Sequence, residues 1–354
     1  MDYCILPGCA TLDKDGIWFV DREYTLLFFW DKNSKVITRA KKIPGVKYKV
    51  EGAFLDIKCI GKKVILAPNI SNEIVVYDEE KDTFERIFID RPCCENFRKI
   101  HEIDKGILIV PNYYERIIRL DMCEMNLFYG DRWNKMDAER HIQSSCISGK
   151  YVYAAINNEL IMKYDVEMDK WKVEYTFEGM KISAVFVKEE NLYFFDVNAT
   201  ELILFDMKDR KIVNRYKIGT KSIKLYVFFD KYVWLDEVYG SSYWIFDINL
   251  ILKKRGMKIE GDITKSNASC FANCAEDAVI YEITSNGVIY VYDEFLSQTI
   301  IEMKLSPVVE KIIEDTSFDY INNKLKFARE NQIIDETRLV GISDLLSAMC
   351  CEIV

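Results

Sequence analysis

The chain is expected to fold as an all-β protein, a seven-bladed β-propeller of four-stranded blades with a short C-terminal α-helical extension. Two observations predict it. The first is a phrase written seven times: an apolar run, usually ending in an aromatic, then aspartate, then a polar turn. The aspartates are Asp31, Asp78, Asp121, Asp165, Asp206, Asp247 and Asp293, spaced 47, 43, 44, 41, 41 and 46 residues apart. A period in the forties built from strand-like pieces is the mark of a propeller blade. The second is that each copy sits third among four short strand candidates separated by turn residues.

The second repeat shows the order most clearly. Phe54 to Ile60 reads as a strand, Gly61 to Lys63 as a turn and Val64 to Ala67 as a second strand. Pro68 to Asn72 then forms a loop, Ile74 to Tyr77 the third strand and Thr83 to Ile89 the fourth. Taken together the repeats predict a propeller over 1–305, with blades at about 4–43, 52–89, 96–133, 142–177, 182–218, 222–257 and 268–305. The 21 Tyr, 20 Phe and 6 Trp favour this reading, because aromatic side chains suit half-buried pleated surfaces. With only 15 Gly and 6 Pro, Asn, Asp and Lys must carry much of the turn chemistry.

Each repeated aspartate closes a third strand, where a short carboxylate can accept N–H bonds from the turn that follows. The aromatic before it suits the space between neighbouring blades. A carboxylate needed for catalysis would be required once or twice rather than once per repeat, so the seven are expected to be architectural. The first and last units both contain four strands, so ring closure is expected to rest on sheet packing or on the tail.

Beyond Leu305 the period stops, and 306–354 is expected to be helical. Ser306-Pro307 suits a helix start, and Phe318, Ile321, Leu325 and Ala328 recur at helical spacing. The helices are expected to pack on the rim or base of the propeller, with docking of another chain as the alternative.

The segment Tyr164-Asp-Val-Glu-Met-Asp-Lys-Trp171 resembles the third-strand segment of a kelch repeat, and residues 4 to 305 as a whole resemble a kelch-like propeller. The double glycine of the kelch repeat and the Gly-His of the WD repeat do not occur. The resemblance therefore implies an architecture and carries over no functional residues.

Composition narrows the function. A net charge of −9, with no basic stripe bearing interleaved aromatics, argues against nucleic acid as a partner. No run approaches the ~20 apolar residues that span a bilayer, so membrane association is not expected. The 11 cysteines are odd in number, irregularly spaced and often inside apolar strands, which suits reduced thiols and a cytoplasmic location. No glycine-rich phosphate loop occurs and no cysteine pair has metal-site spacing, so neither a cofactor nor a metal is expected. Only His101 and His141 could serve imidazole chemistry, and both are expected to be ordinary packed or rim residues.

The loops joining second to third strands should gather on one face around the channel mouth. They would present Asp21, Arg22, Tyr24, Asn69, Asn112, Tyr113, Tyr114, Arg116, Asn158, Asp196, Asp236, Glu237 and Tyr239. A surface rich in tyrosine, amide and carboxylate suits protein or peptide recognition. The leading expectation is a non-catalytic scaffold binding such a partner, either by itself or as a subunit of a larger complex. The alternative is a carbohydrate-active or small-polar-ligand propeller, with acid/base chemistry drawn from Asp21, Asp196, Asp236 and Glu237.

Overall fold

The computed structural model describes residues 5–22, 25–46, 53–92, 95–104, 106–133, 141–156, 158–221, 223–228, 231–237, 242–257, 269–274, 278–285 and 287–317. Seven antiparallel blades form, each of four strands in sequence order. Blade 1, for example, runs Pro7–Leu12, Gly16–Asp21, Leu26–Asp31 and Val36–Lys42. The inner strands of the other blades are Phe54–Ile60, Phe97–Ile103, Ile142–Ser148, Ile182–Lys188, Ile223–Phe228 and Ser269–Cys274.

Burial grades outward across each blade, and the sequence follows it. Second and third strands lie between two neighbouring blades, so both of their faces are covered. They are accordingly almost continuously apolar, as in Ile107 to Val110 or Leu26 to Trp30, all of them buried. Fourth strands are outer edges and alternate polar with apolar, as in Thr83–Phe88, where Thr83, Glu85, Arg86 and Phe88 are exposed. Charged side chains on such edges discourage pairing with other chains.

The core is divided into seven apolar clusters, each occupying one blade–blade interface. In every blade the residue before the repeated aspartate points into the cluster shared with the preceding blade. These residues are Trp30, Tyr77, Leu120, Tyr164, Phe205, Phe246 and Tyr292. Large, rigid side chains at this position fill a wedge that widens away from the channel.

The repeated aspartates do what a turn requires. Asp78 Oδ1 accepts from the backbone N–H groups of Glu80 and Lys81 at 3.1 Å each, and Asp121 Oδ1 from Cys123 at 2.8 Å and Glu124 at 2.9 Å. Asp31, Asp165, Asp206, Asp247 and Asp293 accept equivalent bonds. Backbone bonding holds the Asp165 carboxyl below the usual carboxylate range, and the Ser34 N–H and hydroxyl do the same for Asp31. Three or four residues after each aspartate the chain turns left-handed, at Lys35, Asp82, Met125, Asp169, Arg210, Leu250 and Leu296. No glycine occupies this position in any blade.

Ring closure uses the tail. Lys304–Leu305 pairs in parallel with Val36 and Ile37, adding a fifth strand to the outer edge of blade 1. A helix over 307–317 follows, starting where Ser306-Pro307 predicts it. The Ser306 hydroxyl accepts from Val309 N–H at 3.4 Å, at the helix N-terminus. Val309 and Ile313 are fully buried in the cluster between blades 7 and 1, so the helix packs on the propeller rim. The helical pattern expected from Phe318 onward lies outside the described residues.

Candidate functional site

Because the start of each inner strand pairs with the end of the second strand, both gather on one face with the second-to-third strand loops. Pro7 stands opposite Asp21, Ile142 opposite Ile156 and Ile182 opposite Asp196. That face is laced together by backbone bonds between neighbouring blades. Asn96 N–H donates to Asn69 O at 2.7 Å, Ile142 N–H to Asn112 O at 3.1 Å and Ile182 N–H to Asn158 O at 2.9 Å. Each loop therefore anchors the next blade's inner strand. Asn96, which the sequence does not single out, is fully buried, and its amide reaches Asn69 O at 3.1 Å and Ser71 O at 2.7 Å.

Several predicted site residues are absorbed by this framework. Asp21 is buried and accepts the Leu6 N–H. Asp196 is buried likewise and accepts from Lys181 and Asn198 N–H at 3.0 Å each. Both carboxylates thus tie the entry of an inner strand to the end of the second. Asn69, Asn112 and Asp236 are buried, and Asp236 is the cross-strand neighbour of Lys224. Tyr114 is buried against Phe97 and donates its hydroxyl to Asp90 O at 2.6 Å. Tyr24 and Tyr239 lie outside the described residues.

The remaining candidates stay partly exposed: Arg22, Tyr113, Arg116, Asn158 and Glu237. Tyr113 stacks on His141, with ring centroids 4.5 Å apart and planes 24° from parallel. Beside it, Glu115 is shared by Arg116 at 3.4 Å and Arg132 at 3.1 Å. The stack joins blades 3 and 4, and the Glu115 pairs join the third and fourth strands of blade 3.

The second position of the inner strands holds Gly8, Leu55, Arg98, Gln143, Ser183, Lys224 and Cys270, the last buried in the cluster between blades 7 and 1. In blades 1 to 5 the ladder slips at this position, a β-bulge that re-aims side chains, whereas in blades 6 and 7 it runs without a slip. Gly8 leaves room for Arg22: a Cβ there would stand 3.0 Å from Arg22 Cγ and 3.2 Å from its Nε. Arg98 Nε donates to Gln143 O at 2.9 Å, bridging blades 3 and 4. Lys99 pairs with Asp56 at 3.1 Å, and the same carboxylate accepts from Ile100 N–H at 2.8 Å. Burial, then repulsion by Arg22, holds the Lys224 ammonium below its ordinary range; Arg98 adds to this, while Asp236 and Cys270 oppose it. Neither Arg98 nor Lys224 is among the residues that the sequence pattern selects.

His101 lies in the wall, as the sequence leads one to expect. It is buried, with Nε2 2.9 Å from Ser145 Oγ of the next blade. Burial, followed by the charges of Lys99 and Lys58, brings its pKa down to about 3, so the ring is neutral near pH 7. Burial also pushes the Cys270 and Cys146 thiols up to about 12, which keeps them protonated and unreactive. Among the described residues no group of three His, Cys, Asp or Glu side chains is placed to hold a metal ion. Nor is any helix among them long and apolar enough to cross a membrane.

A surface hollow of about 390 Å³ opens between the outer parts of blades 1 and 2. Its charges pair with one another: Arg39 with Glu79, Lys41 with Asp82 at 2.6 Å and Lys62 with Glu79 at 3.2 Å. It therefore stitches two blades, and of its lining charges Glu80 stands outside these pairs.

No family model matches the chain, and no curated protein matches it. Solved structures do resemble it. Virginiamycin B lyase from Staphylococcus aureus superposes with a TM-score of 0.61 at 12% identity, covering 80% of this chain and 94% of that one. PorZ, a bacterial surface component of the type-IX secretion system of Porphyromonas gingivalis, gives 0.62 at 10%, covering 86% of this chain and 39% of that one. BamB from Moraxella catarrhalis gives 0.50 at 15%, covering 84% and 85%. At these identities the likeness establishes the seven-bladed propeller architecture and nothing finer. That architecture is compatible with a binding or scaffold role in general.

Proposed function

We propose that the protein is a recognition and scaffold propeller that binds a protein or peptide partner through the face bearing the second-to-third strand loops. It would act in the cytoplasm, as one component of a larger assembly. The observation that carries this reading is the part-exposed Tyr113–His141 stack beside Glu115, Arg116 and Arg132. Rigid aromatic area next to guanidinium groups is the chemistry of an interface centre. The cytoplasmic placement rests on Cys9, Cys59, Cys123, Cys146 and Cys270 being free thiols.

The small-polar-ligand reading has less support, because Asp21 and Asp196 are committed to backbone N–H groups. The test is affinity capture with the full chain, followed by a measured affinity for the partner recovered. The double variant Tyr113→Ala/Arg116→Glu should weaken that affinity by about 30-fold or more, the effect of losing an interface hot spot. Tyr114 is left intact because its burial would confound binding with stability. Unchanged affinity in the double variant would overturn the assignment of this face.

A further inference from the structure

We propose that the outer edge of blade 6 receives an acidic, extended segment of another protein, added to the sheet as a fifth strand. This edge lies at the rim, apart from the second-to-third strand loops, and rests on residues of its own. Three observations support it.

The first is a precedent within the chain. Blade 1 already carries a fifth strand, in which Lys304 pairs with Val36 and Leu305 with Ile37. Val36 stands opposite the repeated Asp31, and Ile37 opposite Trp30. The counterparts in blade 6 are Ile251, whose carbonyl accepts the Asp247 N–H at 3.0 Å, and Leu252, opposite Phe246. In the other five blades the first of these two positions is polar: Thr83, Asn126, Lys170, Lys211 and Ser297. Only blades 1 and 6 begin the outer edge with two apolar residues.

The second is exposure. In blade 1 the added strand covers this pair, and Ile37 is fully buried. In blade 6 Ile251 is 56% exposed, and among the described residues no strand lies beyond Leu252–Met257. An apolar start on an unpaired edge is what an incoming strand covers.

The third is charge. Lys253, Lys254 and Arg255 follow, in a strand with no acidic residue. They flank both faces of the edge. The Arg255 guanidinium lies 5.7 Å from the ring centroid of Trp244, in the cluster between blades 5 and 6, whereas the Lys254 ammonium lies 5.5 Å from that of Tyr292 in blade 7. Lys253 pairs with Asp247 at 2.9 Å, while Lys254 and Arg255 pair with no carboxylate among the described residues. Side chains of an added strand alternate between its two faces, so acidic ones would meet a cation on either. Cations on an edge turn away basic strands and admit acidic ones. Main-chain pairing needs a polypeptide, and a net charge of −9 disfavours an extended phosphate backbone.

The test is fluorescence anisotropy of a labelled peptide alternating glutamate with valine, titrated with the full chain at fixed ionic strength. Amide hydrogen exchange is the second readout. Binding should saturate, and exchange over Leu252–Met257 should slow while the outer strand of blade 4, Lys170–Thr176, keeps its rate. Arg255→Glu should weaken binding about tenfold, and so should Ile251→Lys, although it adds a positive charge. Lys170→Glu, at the counterpart position of blade 4, should bind as the parent does. Ile251 and Arg255 are exposed, so both variants should unfold at the parent's temperature. Absence of saturable binding would overturn the proposal. Equal or tighter binding by Ile251→Lys would show attraction by charge alone and overturn the added strand. Tighter binding of oligothymidylate than of the peptide would overturn the polypeptide assignment. Slow exchange over Leu252–Met257 in the free chain would mean that this chain or a second copy already covers the edge, and would overturn it too. The Tyr113→Ala/Arg116→Glu variant should bind the peptide unchanged, so the two readings fail separately.

Discussion

At the scale of single residues, the third-to-fourth strand turn is the repeated device of the molecule. The aspartate supplies acceptors for the turn's N–H groups, and the chain then turns left-handed to re-enter the sheet. Lys35 does this at φ 58° with its side chain exposed, and its N–H reaches Asp31 O at 2.9 Å. A left-handed conformation costs an ordinary L-residue about 1 kcal/mol. Glycine avoids that cost but adds freedom to the unfolded chain, which takes back part of the gain. Lys35→Gly is therefore expected to stabilise the protein by about 0.5 kcal/mol, read as a higher urea midpoint with an unchanged slope. A lowered midpoint would show that the lysine makes compensating contacts. The sequence exposes the aspartate of this device because it recurs in register. It hides the left-handed residue, since Lys, Asp, Met, Arg and Leu all occupy that place and only the backbone is common to them.

At the scale of elements, inner strands of neighbouring blades are joined by polar latches as well as by apolar packing. His101 and Ser145 form one such latch between blades 3 and 4, and it makes stability depend on pH. In the unfolded chain the imidazole titrates near 6.5, whereas in the fold it stays neutral down to about 3, because it is buried beside Lys99 and Lys58. As pH falls below 6.5 the unfolded state gains a proton that the folded state does not, so stability is full above that value and declines toward 3. The loss by about pH 5 amounts to about 2 kcal/mol. Urea unfolding at about pH 7.5 and about pH 5 should show this loss in the parent and not in His101→Gln, whose amide can still bond Ser145. Equal losses would mean that other groups carry the dependence. The inner strands also mark the limit of what the sequence discloses. Their existence follows from the period, and Arg22 and Tyr113 follow from loop placement. Arg98 does not, because its bond to Gln143 O depends on a local ladder slip and on which inner strands are neighbours. Asn96 is hidden for a similar reason: its amide bonds backbone carbonyls of another blade's loop, a contact that no short-range pattern encodes.

At the scale of the whole molecule, seven similar interfaces close into a ring, and one of them is built differently. The seam between blades 7 and 1 holds Trp30, Tyr281 and Ile283, and it alone also receives Val309 and Ile313 from the helix. The same tail lays Lys304–Leu305 along the outer edge of blade 1, where among the described residues the other six blades end at their fourth strand. Two parallel-paired residues are a weak strand by themselves, so the helix must hold them in place. Replacing a fully buried Ile by Ala costs about 2–4 kcal/mol, through lost transfer energy and the cavity left behind. In Val309→Ala/Ile313→Ala the helix should therefore detach and release the added strand before the ring opens. Two readings should follow. The unfolding temperature should fall, and amide hydrogen exchange over Val36–Lys42 should quicken, while the equivalent outer strand of blade 4, Lys170–Thr176, keeps its parent rate. Faster exchange in both strands would indicate loosening of the whole ring, and an unchanged rate at Val36–Lys42 would show that blade 1 closes without the tail. Selective loss at blade 1 would establish the helix as the clasp of the propeller.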